Sequence, residues 1–470
     1  MTALRAIAVP DASALLPRSP LGSRRVRAPS LRPADGHRLV LPAVAWLLLA
    51  PRIDLLTVFG SSVRVDDVVV ALLLVPAAVS GARAGALVAG WRMAAVVAAA
   101  CLSALFAIYH GLVSPAPSLL YAVRPFEYWL VLAALGGVVA RDPRGTARRL
   151  LMLLAWVTFV QVGVAYLQTA IGLDFGSARF SLERGSGFTG GPYELGAICA
   201  ALACLWAATH RWLLLVVAVA GVALSESRIS MAGLVAGLSI VAVYGLLQAG
   251  RRRATGPAAA PSRAGQLRVA GGVLAISLLL VAGPVWSPVL LQGIGERAKS
   301  TSLTDEWYFA DQRAASTPSP RTSADYRVLA FGSVTTSMQR DAARIEDVSS
   351  FIRFYRWNLL LDRLTVDRWS WVTGLGPSFA GSAVDGSYVR VLAETGAVGL
   401  LAWSGLASVW VRRMPPWMVG AAVTYLAGAA FIDLLFAMRP TVLMWVLTAC
   451  ALAHRMASET DGPTETGDRR

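Results

Sequence analysis

The feature that most constrains this chain is a series of long, uninterrupted apolar runs. Met93–Val113, Leu150–Thr169, Ile229–Leu247 and Val269–Val285 are examples. Each approaches or exceeds the ~20 residues that a helix needs to cross a ~30 Å hydrocarbon layer. No water is available at that depth, so each backbone amide must pair within its own segment, and such runs are expected to be helical. A membrane β-barrel would show ~10-residue alternating segments instead. Composition agrees. Charged residues make up 15% of the chain and hydrophobic residues 56%, whereas a soluble domain is roughly 25% charged.

The runs predict an all-α polytopic membrane protein with about 12 transmembrane helices, near 39–59, 66–81, 93–113, 118–140, 150–172, 191–209, 212–225, 229–248, 269–288, 386–411, 416–435 and 439–455. Pro51-Arg52-Ile53-Asp54 interrupts the first. Short basic loops mark the cytoplasmic side. Arg83 and Arg92 flank one, Arg141, Arg144, Arg148 and Arg149 fill another, Arg251, Arg252, Arg253, Arg263 and Arg268 a third, and Arg412 and Arg413 a fourth. With twelve spans and both termini inside, all four fall on one side, together with a basic tail over residues 1–38 that is expected to be disordered and cytoplasmic. A polar cytoplasmic tail is expected over 456–470. The same count places Val289–Asp385 outside as one large extracytoplasmic loop before the last three spans. It carries 11 basic and 11 acidic residues. Its polar part, 296–350, is expected to be partly flexible. Cys101, Cys199, Cys204 and Cys450 all lie in apolar runs, so neither a disulfide framework nor a zinc site is expected. The net charge of +15 is explained by topology, and no nucleic-acid partner is expected.

Charged residues recur on the side assigned as outer: Arg124 and Glu127 in span four, Arg179 and Arg184 before span six, Glu194 at its start, Arg228 before span eight and Arg439 at the start of span twelve. Charges at membrane depth are costly and mark a pathway, a site or a partner. Each alone could be an arginine reaching lipid headgroups. Together they suit a polyanion, because the guanidinium fork makes paired hydrogen bonds to phosphate oxygens. Residues 350–364 predict an amphipathic helix. At about 100° per residue Arg353, Arg356 and Arg363 share an ~80° arc, opposite Phe354, Trp357 and Leu361. Such a helix either lies on the membrane surface or turns Arg353 and Arg356 into an outward cavity. Gly374-Leu-Gly376, Asp385-Gly-Ser-Tyr388 and Leu392-Ala-Glu-Thr-Gly-Ala-Val-Gly399 then lead into span ten.

In their order, these motifs resemble those of the O-antigen ligase and O-antigen polymerase family of lipid-linked glycan transferases. Gly187-Phe-Thr-Gly-Gly-Pro-Tyr-Glu-Leu-Gly-Ala197 is similar to the family's Gly-Pro-Asn-x-x-Ala span entry, and Ser227-Arg228 to its Ser-Arg pair. Arg356-Trp through Gly376, and Asp385–Gly399, are similar to its arginine helix, Gly-x-Gly turn and span start. The resemblance covers roughly residues 40–455. It implies a polyprenyl-diphosphate-linked glycan donor, a glycan or lipid acceptor, a role in cell-envelope polysaccharide or exopolysaccharide synthesis alongside other export components, and no cofactor or metal. Carried over by position, Arg228 and Arg356, then Arg184 and Arg353, would hold the diphosphate. The family's Pro-Asn is Pro192-Tyr193 here, and the ligases' loop histidine is missing. His37, His110, His210 and His454 all lie outside the large loop. A general base would then be Asp385 or Glu394. Two other classes fit a multi-span chain: a secondary transporter or flippase, which would show related halves, and a non-catalytic scaffold. A nucleotide-sugar transferase is disfavoured by the lack of any Asp-x-Asp.

Overall fold

A computed structural model describes residues 33–51, 54–58, 61–172, 184–253, 303–333, 348–412 and 414–460. Residues 1–32, Arg179, the expected ninth span at 269–288 and residues 461–470 lie outside the described residues.

The fold is helical apart from one short hairpin. α1 is Pro33–Leu49, six residues longer at its start than the expected tail boundary allowed. The hairpin pairs β1 (Asp54–Val58) with β2 (Ser61–Arg64) and replaces the second half of the expected first span. Helical backbone then runs through α2 (Val65–Val69), a π turn (Val70–Leu74) and α3 (Val75–Tyr109). It follows α4 (Pro115–Arg141), α5 (Pro143–Ile171), α6 (Pro192–Ala208), α7 (Trp212–Leu224) and α8 (Arg228–Arg253). The region between α8 and the last three helices, expected to be the large loop, supplies α9 (Leu303–Ala315), α10 (Ser323–Val328), α11 (Val348–Val366) and α12 (Ser370–Thr373). Three more helices close the chain: α13 (Ser387–Ala407), α14 (Pro416–Ala429) and α15 (Met438–Thr460).

Five helices among the described residues are long and apolar enough to cross a membrane: Ala89–Tyr109, Pro115–Arg141, Pro143–Ile171, Ser387–Trp410 and Met438–Glu459. Shorter apolar helices lie beside them, Pro192–Ala208 and Trp212–Leu224 included. α5 illustrates how the local sequence ends a span. The Asp142 carboxylate accepts from the Gly145 amide at 2.9 Å, Pro143 occupies the first turn, and Gly172 closes the helix in the left-handed region.

The expected loop between Arg83 and Arg92 is helical. The alanine-rich stretch there has high helix propensity, which favours continuing the helix. Yet residues 65–109 cannot form one straight rod. Asp67 pairs with Arg124 at 3.9 Å, and Arg124 lies over Tyr121. Arg390 lies over the same ring and pairs with Glu394, whose carbonyl accepts from Ser103 at 2.6 Å. A straight helix would hold Asp67 and Ser103 about 54 Å apart, and this relay of side chains is too short to span that. The helical chain therefore bends between them.

Two apolar cores follow. The larger joins the bundle helices around Leu47, Leu135, Leu154, Trp206, Met418 and Trp445. Close packing there relies on small residues. Gly233 and Gly237 of α8 meet the Gly420 and Thr424 backbone of α14, and Thr424 donates to the Gly233 carbonyl at 2.8 Å. The second core belongs to the outer-loop region: Tyr326, Phe351, Tyr355, Leu360, Leu375 and Phe379 pack over Ala107 of α3 and Ala393 of α13. The described part of 296–350, expected to be partly flexible, is thus largely helical over 303–333, because its scattered apolar residues cover α11.

The junction of α12 with α13 depends on two glycines. Gly396 has φ 67 and ψ −170, which breaks the helix. The break frees the Ala393 and Glu394 carbonyls to accept from the Leu375 and Gly376 amides at 2.7 and 3.1 Å. A Cβ on Gly396 would overlap the Val372 carbonyl, and one on Gly374 the Glu394 backbone. Gly396→Ala is expected to destabilise the protein by about 1–3 kcal/mol from backbone strain alone, read as a lowered Tm in detergent, while Gly405→Ala, which has open space, leaves Tm unchanged.

Candidate functional site

The buried glutamines of α5 set the first wall of the site. Gln168 Oε1 accepts from the Ser186 and Gly187 amides at 2.9 and 2.8 Å, and its Nε2 donates to the Gly187 carbonyl at 3.0 Å. Gln161 Oε1 accepts from the Phe188 amide at 2.8 Å while its Nε2 donates to the Leu48 carbonyl at 2.7 Å. Gly187, at φ 60, passes so close to Gln161 that no side chain fits. The Gly-Phe-Thr-Gly-Gly-Pro segment is thereby locked, and it delivers Tyr193 and Glu194 to the first turn of α6.

Tyr193 is the hub. Its hydroxyl accepts from Arg184 and from Arg353, both at 3.4 Å, and the two guanidinium carbons lie 4.7 and 5.6 Å from its ring centre. An aromatic ring between two cations offsets part of their mutual repulsion. Arg184 spends most of its donors on the α7–α8 turn, at the Ser225 and Glu226 carbonyls (2.9 and 3.2 Å), and pairs with Glu226 at 4.0 Å. Arg228 begins α8 two residues beyond Glu226 and is half-buried.

α11 supplies the second wall. Arg353 and Arg356 both face Asp385, at 3.6 and 4.0 Å. A committed charge-assisted hydrogen bond is nearer 2.7–2.9 Å, so both guanidinium groups retain donor capacity. Arg356 Nε donates to the Ala330 carbonyl at 3.2 Å, and its guanidinium covers Phe331. Asp385 is held through its backbone, whose carbonyl accepts from the Trp357 indole, while its carboxylate is 46% exposed. Tyr326 donates to the Arg356 carbonyl at 3.5 Å, and burial pushes its phenol far above the usual range, so it serves only as a donor. Of the two alternatives for this helix, burial disfavours the surface-lying one: Phe351, Arg353, Phe354, Tyr355, Asn358 and Leu359 are all buried, which covers most of the circumference of α11.

Other expected site residues lie apart from this cluster. Glu394 is 1% exposed, pairs with Arg390 at 3.3 Å and accepts from the Gly381 amide at 3.0 Å. Its burial and its two partners set it apart from the half-exposed carboxylate of Asp385. Glu194 accepts from the Gly190 amide at 3.1 Å and closes its own loop. Arg124 joins Asp67, with Glu127 in the same electrostatic neighbourhood. Arg439 is buried and donates to the Ala50 carbonyl, tying α15 to the end of α1.

Three residues escaped sequence reasoning. Arg390 bridges Glu394 and Asp433 and sits between the rings of Tyr121 and Phe436, with centroids at 5.4 and 4.1 Å. This cluster joins α13, α4 and the α14–α15 turn. The signal was an arginine and a glutamate one turn apart in an apolar run, with an aspartate in the turn after span eleven. Tyr193 was noted only as a departure from Pro-Asn.

No protein-family model matches this chain, and no curated protein matches it. The site is therefore read from its geometry.

Removing Arg390 would leave Glu394 and Asp433 as buried, uncompensated carboxylates, a loss of about 3–5 kcal/mol for a broken buried pair. Arg390→Ala is expected to lower Tm strongly. Adding Glu394→Gln to it should restore part of the loss, so the double variant is more stable than the sum of the singles predicts.

Proposed function

We propose that this chain is a metal-independent glycosyltransferase of the cell membrane, acting at the extracytoplasmic face to polymerise or ligate a polyprenyl-diphosphate-linked glycan for cell-surface or exopolysaccharide synthesis. The observation that carries the reading is the convergence of Arg184, Arg353 and Arg356 around Tyr193 and Asp385 from segments more than 150 residues apart in sequence. Arg228 stands nearby at the start of α8. The motif order that resembles O-antigen ligases and polymerases supports the same reading.

The proposed topology has twelve spans with both termini cytoplasmic. It is supported by where the contacts fall. The ends of α1, α5 and α7 and the starts of α4, α6, α13 and α15 meet around the arginine cluster and the Arg390 network. At the other end Arg92 donates to Ser408, and Arg141, Arg144, Arg148, Arg149 and Arg412 gather. Arginines in short loops belong to the cytoplasmic face, which leaves the cluster outside.

In the reaction the acceptor hydroxyl attacks the anomeric carbon of the donor sugar, and the bond from that carbon to the diphosphate oxygen breaks. Negative charge grows on the departing diphosphate, and Arg353 and Arg356 stabilise it there more than in the bound donor. Arg184 and Arg228 extend the positive surface. Asp385, half-exposed between the two arginines, takes the proton released by the acceptor.

Arg353→Ala and Arg356→Ala, expressed in a host lacking the native gene, are expected to cut transfer by about 100-fold or more, the usual effect of losing one charge-stabilising donor, with protein level unchanged. Lysine at either position should rescue only partly, because it keeps the charge without the fork. Size analysis of the polysaccharide reads the result. Loss of long chains with single repeats retained identifies a polymerase; accumulation of free lipid-linked chains identifies a ligase. Normal polymer in both alanine variants overturns the reading.

A further inference from the structure

The outer-loop region contains an apolar surface that the transfer reaction does not use. Val366, Trp369, Trp371 and Val372 are 67%, 58%, 38% and 43% exposed. They lie between the end of α11 and the Gly374 turn, and Arg368 stacks over Trp369 with 6.0 Å to the ring centre. In a water-facing loop, two tryptophans and two valines left open within seven residues would be an unexplained cost.

Their depth explains them. The chain just after α12 is hydrogen-bonded to Ala393 and Glu394, and Val372 abuts Gly396. These positions lie six to nine residues inside α13, about 9–13 Å below its first residue. A second helix gives the same level. Ser103 donates to the Glu394 carbonyl, and Ala107 touches Gly376. Ser103 lies six residues below the end of α3, about 9 Å down the helix. Both α13 and α3 belong to segments able to cross a membrane. At this level and deeper their exposed residues are also apolar: Leu102 and Leu105 on α3, and Val398 and Leu401 further along α13. The exposed surface of 366–372 continues this belt.

We propose that residues 366–373 form a re-entrant hook seated in the lipid leaflet on the site side, its occupant being phospholipid acyl chains. Trp369 and Trp371 sit at the boundary that amphipathic rings prefer. Arg368 extends to headgroup phosphates. The backbone of the dip is shielded on its protein side by the carbonyls of α13, which satisfies the requirement that non-helical chain at this depth be buried against protein. Because α11 leads directly into the hook, the hook fixes the height of Arg353 and Arg356 relative to the membrane surface. This inference does not depend on the glycan reaction.

The test places a nitroxide spin label on Val366→Cys, Trp369→Cys and Val372→Cys in the full chain, reconstituted in phosphatidylcholine–phosphatidylglycerol vesicles. Labelled wild-type protein corrects for the native cysteines. Leu401→Cys serves as a lipid-facing reference, and Gln312→Cys, exposed on α9, as a water-facing one. Collision with oxygen should exceed collision with a water-soluble nickel chelate at 369 and 372, as at 401 and opposite to 312. Nickel exceeding oxygen at both sites overturns the hook, and so does protection from both agents, which would mean a protein partner covers the surface. The three labelled side chains are all exposed, so a folding defect confined to one variant still leaves two readings.

Discussion

Non-helical backbone inside an apolar bundle must find hydrogen-bond partners without water, and nearly everything distinctive about this protein follows from where it meets that demand. Gln161 and Gln168 satisfy the chain over 186–188. The carbonyls freed at the Gly396 break satisfy 375–376. Ser387 holds the α14–α15 turn, accepting from the Leu435 amide and donating to the Ile432 carbonyl at 3.0 Å each. Arg439 holds the Ala50 carbonyl. All four devices lie at one end of the bundle, the end that carries the arginine cluster. Among the described residues the other end turns over in short connections, at Asp142 between α4 and α5 and at 209–211 between α6 and α7. A surface of irregular chain that is nevertheless fixed is what orienting groups on a large flexible substrate requires.

Two kinds of ion pair coexist at this end, and their geometry separates their roles. Arg390, 3% exposed, is enclosed by Glu394, Asp433 and two aromatic rings, and its neighbours are spent on holding three elements together. Arg353 and Arg356 share one carboxylate at distances beyond a direct hydrogen bond, and that carboxylate is 46% exposed. The first arrangement repays the desolvation of buried charge only by staying closed. The second leaves two cations with one loosely held anion, a balance that an incoming diphosphate would complete. Burial and distance, rather than the presence of charge, therefore decide which arginine can serve a ligand.

The sequence made the coarse architecture legible because lipid imposes simple rules. Apolar run length marked the five described helices that are long and apolar enough to cross a membrane. Period and charge placed α11 at Val348–Val366, against an expected 350–364. Arg353 and Arg356 were named from that pattern, and Asp385 as a carboxylate that could replace the missing loop histidine; the three lie together. What could not be read was long-range. Glu394 looked like Asp385 in the sequence, both being carboxylates near a glycine turn, and only the fold buries one and opens the other. Gln161 and Gln168 read as two polar positions in a span, and their task depends on a loop some twenty residues away. The hairpin at Asp54–Arg64 was hidden because a broken apolar run does not say whether it resumes as helix or strand. The helix through Arg83–Arg92 was misread as a loop because basic residues in an alanine-rich stretch do not by themselves end a helix.

The direction of the helices adds a further reason why this end suits an anion. α4, α6, α8, α13 and α15 all begin here. Each presents the positive end of its dipole toward this side, an effect that is strongest within the first turn and in partly buried surroundings. Tyr193 and Glu194 occupy the first turn of α6, Arg228 that of α8, and Ser387 that of α13. Without Glu226, Glu394, Asp385 and Asp433, arginines and helix starts of one sign would repel one another. Three of these carboxylates are placed to neutralise the scaffold, while Asp385 alone stands open beside guanidinium groups that it pairs with only loosely. Positive charge is thereby left least compensated beside Arg353 and Arg356, which share the one half-exposed carboxylate of Asp385.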